Sequence, residues 1–398
     1  MRVLFAFLFL AVLAVLFALL FKHNAGYVLF VAPPYRVELS LNAFIVFTLA
    51  GFAVLYLLLR LSARIARMPQ DVRDARRRRN VERARAKQDS AVVALLEGRY
   101  GKARQFADEA LAIPQSSGLS ALVGARASID THEFDLAETY LGRADAGVGS
   151  LAVPRLMLTA ETALERGQPG EALTRLGELK REAGLHTAAL RLELRALTNA
   201  GRHAEIPLLV DQLVKRKVYD AAQGDLVRAG AHAEALGALR HDAAGLRAYW
   251  NRLSDADKHN SRVARAGAAS FLVLGGDREA AQIIVSCLDR EWDPGLTTLY
   301  AQCRTSEPTR QLETAEHWLL QHSQDATLLY ALGKLCERES LWGKAQTYFE
   351  ASLALYNHWR PHVALGELHG RLGREDKANA HLATALKLAL ADLEQSRN

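Results

Sequence analysis

Near the end of the chain, Leu332-Gly333 precedes Ala345 and Phe349, and Leu365-Gly366 precedes Gly373, Ala378, Leu382 and Ala385. The two sets are offset by 33 residues. Glycine where two helices cross closely, and small and large apolar residues at fixed offsets on the facing helix, are what packing of short antiparallel helices demands. Toward the N-terminus the same rhythm opens with Gly98-Arg-Tyr-Gly-Lys-Ala103, followed by Ala107, Ala110 and Pro114. It continues with Phe134, Ala137, Leu141 and Ala144, then Gly167, Ala172, Leu176 and Leu179, then Gly201, Ile206, Val210 and Leu213. The steps from Ala103 to Ala137, Ala172 and Ile206 are 34, 35 and 34 residues. After an irregular section it resumes with Gly276, Ala281, Val285 and Leu288, then Ala315 and Leu319.

A period of 33 to 35 residues with this chemistry is the tetratricopeptide pattern. One such unit cannot bury its own apolar face, so the stack is the folding unit. The pattern predicts a tetratricopeptide-repeat superhelix over 89–398. Val218 to Asn260 breaks the register, and an irregular joint is expected near 218–260, with Tyr249 and Trp250 packed into it.

Before the repeats the composition changes. Val3 to Phe21 is drawn only from Val, Leu, Phe and Ala, and as a helix it spans roughly 28 Å, about one hydrocarbon core. A cleaved signal peptide is the competing reading, but Phe-Lys-His-Asn (21–24) stands where small residues are required. Leu41 to Leu59 is a second apolar run, joined to the first by a short connection. Residues 1–60 thus read as a transmembrane hairpin with spans at about 3–21 and 41–59. From Arg60 to Lys87 ten arginines and one lysine face only Asp71, Asp74 and Glu82, a local net charge of +8 in a chain of net +6. The positive-inside rule then places the N-terminus and the repeat domain in the cytoplasm of a multi-pass membrane protein. Residues 61–88 are expected to form a basic juxtamembrane helix, starting after Pro69 and attracted to anionic membrane lipid. The fold class is therefore all-α: a two-helix transmembrane hairpin followed by a tetratricopeptide-like α-solenoid.

Charge confined to a membrane edge does not describe a nucleic-acid binder, which spreads Lys and Arg over a folded face. Cys287, Cys303 and Cys336 have no C-x-x-C spacing, so neither a disulfide framework nor a structural zinc site is indicated. A reducing compartment follows.

The order of parts carries a resemblance. Two spans, an arginine-rich neck and tetratricopeptide repeats come with Gly26-Tyr-Val, Tyr249-Trp250, Ala315-Glu-His-Trp-Leu319 and Leu341-Trp-Gly-Lys-Ala-Gln-Thr-Tyr-Phe-Glu350. In this order they resemble the proteobacterial HemY family. The resemblance implies a non-catalytic scaffold of the bacterial inner membrane, acting by protein–protein interaction in a late step of protohaem IX (porphyrin) biosynthesis. It also implies partners among haem-pathway proteins, namely HemX and late porphyrin enzymes such as ferrochelatase; homo-oligomerisation is left open. A haem- or porphyrin-binding carrier and a general envelope-assembly adaptor are the alternatives.

The same family name is used for an unrelated flavin enzyme, which needs a strand, a G-x-G-x-x-G turn and a helix. The near match, Gly147-Val-Gly149-Ser-Leu-Ala152, follows a helical pattern and reads as an inter-repeat loop. No Ser-His-Asp order or H-E-x-x-H stands in a supporting context, and no catalytic or metal residue is assigned. For haem, the candidate ligands are His358 and His362, four apart, with His369 seven further on. Pro361 favours a helix start there, which puts His358 in the preceding turn. Trp318, Trp342 and Trp359 are expected in inter-repeat core.

Overall fold

The computed structural model describes residues 26–114, 116–144 and 151–395. The first apolar run, 3–21, and the glycines at 147 and 149 lie outside them. The connection between the apolar runs is not simply a loop. Strands β1 (Tyr27–Ala32) and β2 (Tyr35–Ser40) pair antiparallel, from Tyr27 opposite Ser40 to Ala32 opposite Tyr35. The signal was there to read: aromatic and β-branched residues on both sides of Pro33-Pro34 are hairpin chemistry. Ser40 then caps the next helix, its hydroxyl accepting from the Ala43 amide at 3.2 Å.

That helix, α1, runs from Leu41 to Leu96 without a break. Its first part, Leu41–Ser62, is long and apolar enough to cross a membrane, and none of it is buried against protein. The basic segment is therefore no separate helix beginning after Pro69; it continues the span. At 1.5 Å per residue α1 is about 84 Å long. Its last turns supply the buried Ala91 and Ala94, which pack with Ala103 and Ala107 of α2 (Tyr100–Leu111) and with Val123 and Ala127 of α3 (Gly118–Asp130). The residues through Ala127 form one compact unit.

From Ser128 onward the chain forms a second unit of successive helix pairs. After α4 (Phe134–Ala144) come α5 (Ala152–Glu165) with α6 (Pro169–Ala183), and α7 (Thr187–Asn199) with α8 (Ile206–Lys215). Then follow α9 (Ala221–Ala238), α10 (Ala243–Arg252), the single turn α11 (Asp255–Lys258), and α12 (Ser261–Val273) with α13 (Asp277–Leu288). The last pairs are α14 (Pro294–Gln302) with α15 (Pro308–Gln321), α16 (Ala326–Arg338) with α17 (Trp342–Leu355), and α18 (Trp359–Arg371) with α19 (Glu375–Gln395).

One backbone turn makes the array periodic. Gly98, Gly167, Gly201, Gly275 and Gly373 sit at φ of 68° to 74° immediately after the first helix of a pair; His132 and Ser340 fill the same place at 59° and 57°. In each case two amides turn back onto the last helical turn. At Gly167 they are Gly167 N to Leu164 O (3.0 Å) and Gln168 N to Ala163 O (2.8 Å), and at Ser340 they are Ser340 N to Glu337 O (3.1 Å) and Leu341 N to Cys336 O (2.9 Å). This is the Schellman closure, which satisfies carbonyls a helix end leaves orphaned. A fixed exit angle puts the fourth residue of the second helix at the crossing. There Ala103, Ala137, Ala172, Ala280, Ala345 and Ala378 are all buried.

The turn also resets one expectation. In α13 Ala281 and Leu288 are buried as expected, but the most deeply buried residues are Ala280, Ile284 and Cys287, one position earlier. Of the expected three, Val285 only flanks the core. The left-handed residue is Gly275 rather than Gly276, so the helix face rotates by one residue.

Between Val218 and Asn260 the pairing changes form. The 18-residue α9 opens with a capping box, in which Asp220 accepts from the Gln223 amide at 2.7 Å, and α9 packs directly on α12. The shorter α10 and the turn α11 are looped out beside that contact. Tyr249 is buried there and shares a 2.9 Å hydrogen bond with His232 Nδ1. Trp250 lies over Gly267, where a Cβ would come within 2.6 Å of its ring.

Candidate ligand and partner surfaces

The start of α18 places both histidines singled out for haem. His358 is the helix N-cap: its Nδ1 accepts from the Arg360 amide at 3.2 Å. The ring proton must then sit on Nε2, which faces Asp392 at 3.6 Å. His362 lies one turn in. Its Nε2 is 3.0 Å from the amide oxygen of Asn357 and its Nδ1 is 2.9 Å from Nδ1 of His381. An amide oxygen only accepts, so His362 carries its proton on Nε2 and receives the His381 N–H on Nδ1. Neither imidazole has a lone pair left for iron, and the two face different partners. The adjoining cavity, about 160 Å³, is well below the 300–1,000 Å³ of ordinary ligand pockets. These residues do not fit axial haem ligation.

What the histidines do form is a ladder across the last pair. His381 of α19 lies between His362 and His369 of α18, with ring centroids 5.2 and 5.6 Å apart. His369 is 2% exposed, and its Nδ1 has no hydrogen-bond partner among the described residues. Burial is the main cause that holds all three imidazoles below the ordinary histidine range, with repulsion from His381 next for His362 and His369. His381 was missed in the sequence because it shares no helix with the others. Folding the 33-residue offset back on itself would have found it, opposite Tyr348.

The tryptophans are structural in varying degree. Trp318 is buried edge-on between Trp292 and Tyr300, with centroids at 6.0 and 4.9 Å. Trp292 stacks on His322 at 3.8 Å and donates to Asp325 at 2.9 Å. Trp342 and Trp359 lie nearer the surface, under the guanidinium groups of Arg371 and Arg360. All three cysteines are buried and free; burial pushes the Cys303 thiol up to about 12 and Cys336 to about 11. They are inert thiols in this setting. Among the described residues no cluster of three or more His, Cys, Asp or Glu could hold a metal ion.

Two larger cavities open along the repeats. One of about 420 Å³ is lined by Trp250, His259, Phe271 and Ile283, beside the Arg247–Glu279 ion pair at 3.0 Å. The other, about 570 Å³, lies between α13 and α15 and carries Arg278, Asp289, Glu307 and Arg310. Both display charges of each sign.

An exposed, membrane-length helix leading into stacked helix pairs defines a membrane-associated tetratricopeptide-like repeat protein. The model of the HemY protein N-terminus matches residues 26–132. Protein HemY of Escherichia coli strain K12 and Protein HemY of Shigella flexneri are each 24% identical over 370 residues, covering 92% of this chain and 93% of their own. The chain is thus similar to Protein HemY along nearly its whole length, and its residues 26–132 match that family's N-terminal model. Among solved structures it is similar to the Cut9–Hcn1 hetero-tetramer of APC/C, at 16% identity and a TM-score of 0.31, over 77% of this chain and 66% of that one.

Proposed function

We propose that this protein is a multi-pass scaffold of the bacterial inner membrane that holds late haem-pathway proteins together, without chemistry of its own. The observation that carries the reading is α1: one helix serves as membrane span and as a packed member of the first repeat pair. Membrane span and first repeat pair thus share one continuous helix. The arginines at 73 and 76–79 are exposed along it, on the side of the span where the positive-inside rule puts the cytoplasm. Confining partners to the membrane plane raises their effective concentration, which helps most when the compound passed between them is poorly soluble. HemX and ferrochelatase are the partners this reading favours.

Deleting the protein should lower haem flux and accumulate porphyrin. Affinity capture from detergent-solubilised membranes should bring down porphyrin-pathway enzymes. Turnover of porphyrinogen by the purified chain, or a tag at Asn398 found outside the cytoplasm, would overturn the proposal.

A further inference from the structure

The smallest of the three cavities differs from the others in chemistry. It lies where α14, α16, α17 and α18 meet, and its lining includes Thr298, Thr327, Tyr330, Tyr356, His358 and Arg360. Arg360 is the only residue of permanent charge in that lining, and no carboxylate joins it. Among the described residues no carboxylate lies within ion-pair distance of the Arg360 guanidinium; its contact is the face of Trp359 at 5.3 Å. The neighbouring acid Glu337 is already held by Lys334 at 2.6 Å.

The hydroxyls repeat the imbalance. Ser352 donates to the Ala326 carbonyl at 2.7 Å and is satisfied. Among the described residues, those of Thr298, Thr327, Tyr330 and Tyr356 donate to no protein acceptor. Threonine on a helix ordinarily donates to the carbonyl four residues back. Thr327 stands in the first turn of α16, where no such helical carbonyl exists, and Thr297 already occupies the Pro294 carbonyl that Thr298 would use. His358, whose Nδ1 is taken by the Arg360 amide, turns its Nε2–H toward Asp392 at 3.6 Å and adds no free donor. The lining therefore offers hydroxyls and one cation, and no carboxylate of its own. The rings of Tyr330 and Tyr356 and the side chain of Pro361 supply apolar wall beside them. A planar, acceptor-only anion flanked by hydrocarbon meets both demands.

We propose that this cavity is a carboxylate-binding subsite, with Arg360 as the charge anchor and the Tyr330 and Thr327 hydroxyls as orienting donors. It deepens the scaffold reading by giving the array a defined point of grip. A carboxylate could be brought by an acidic segment of a partner protein or by a porphyrin propionate, and the two are separable.

The test uses the full chain in detergent micelles with two fluorescent probes. One is a labelled hexapeptide carrying two adjacent glutamates, and the other is coproporphyrin, with its methyl ester as control. The expected result is saturable binding of one probe that Arg360→Gln weakens roughly tenfold or more, the scale of a charge-assisted hydrogen bond. Thr327→Val should weaken the same probe several-fold. Peptide binding assigns the subsite to a partner, and porphyrin binding lost on esterification assigns it to the small molecule. Arg360 is exposed, and glutamine keeps its aliphatic stem, so the variant should fold normally. Failure of both probes to bind at millimolar concentration, or equal binding by wild type and Arg360→Gln, would overturn the subsite. Partner capture that survives Arg360→Gln would leave the scaffold standing without it, whereas loss of capture from the wild-type chain would remove the scaffold itself.

Discussion

The pairs α16–α17 and α18–α19 repeat one template 33 residues apart and fill it with different chemistry. Gly333 and Gly366 occupy the same crossing, and Ala345 and Ala378 face them. Over Gly333 lies Phe349, fully buried; over Gly366 lies Leu382, which stays 42% exposed. At three further positions Leu329, Cys336 and Tyr348 become His362, His369 and His381. One contiguous core runs from Ala229 to Leu368, and α19 contributes no residue to it. The α16–α17 pair lies within that core and carries large apolar side chains, whereas the seam of the α18–α19 pair turns polar. In a solenoid, stability is close to a sum of pair and interface terms, so the less deeply packed α18–α19 pair should open before α16–α17.

The strongest way to break this comparison is to empty both crossings. Phe349→Ala should cost about 3–5 kcal/mol, because a fully buried ring leaves a cavity. Leu382→Ala should cost about 1 kcal/mol, since much of that side chain already meets water. Amide exchange resolved by helix is the measurement, because a chain this long need not unfold in one step. Equal losses at the two sites would mean that the last pair is as deeply packed as its neighbour.

Filling the crossings should give smaller effects in the same order. A Cβ on Gly333 would collide with the Phe349 ring, whose surroundings cannot yield, whereas on Gly366 it would meet Leu382 at 2.7 Å, and that side chain can swing outward. Gly333→Ala should therefore cost about 2–3 kcal/mol and Gly366→Ala about 1 kcal/mol.

The mildest contrast is set by pH. Because burial holds the His362, His369 and His381 imidazoles below the ordinary range near 6.5, the folded pair favours their neutral forms. That contribution is complete above about pH 6.5 and is lost as pH falls through the lowered values. Between pH 7 and pH 5, amide protection relative to the intrinsic exchange rate should fall in α18–α19 and hold steady in α16–α17. The groups facing the ladder are Glu350 of α17, Arg374 and Lys377, and only the glutamate opposes the trend. His381→Tyr, which copies Tyr348, should flatten the dependence. An unchanged acid response in that variant would assign it to other groups.

The sequence carries some of this geometry openly and some of it hidden. Small residues at crossings are readable because close backbone approach admits few side chains, and Ala103, Ala137, Ala172 and Ala345 are all buried where the period put them. In α13 the deepest face lies one residue before the expected one, because two glycines stand together and only backbone geometry distinguishes the left-handed Gly275 from Gly276. The hairpin at 27–40 was passed over as a connection, although its composition is that of strands. The histidine ladder and the cavity at Arg360 were hidden for a different reason. Both are assembled from residues of several helices, and periodicity within one helix carries no information about what faces it from the next.

The unbroken course of α1 makes residue count a mechanical setting. Each residue added or removed between 63 and 80 would turn the α1–α2 packing face by about 100° around the helix axis and shift it about 1.5 Å along it. Deleting one residue would thus point the first repeat in a new compass direction over the bilayer, while deleting seven would nearly restore its heading at a height about 10 Å lower.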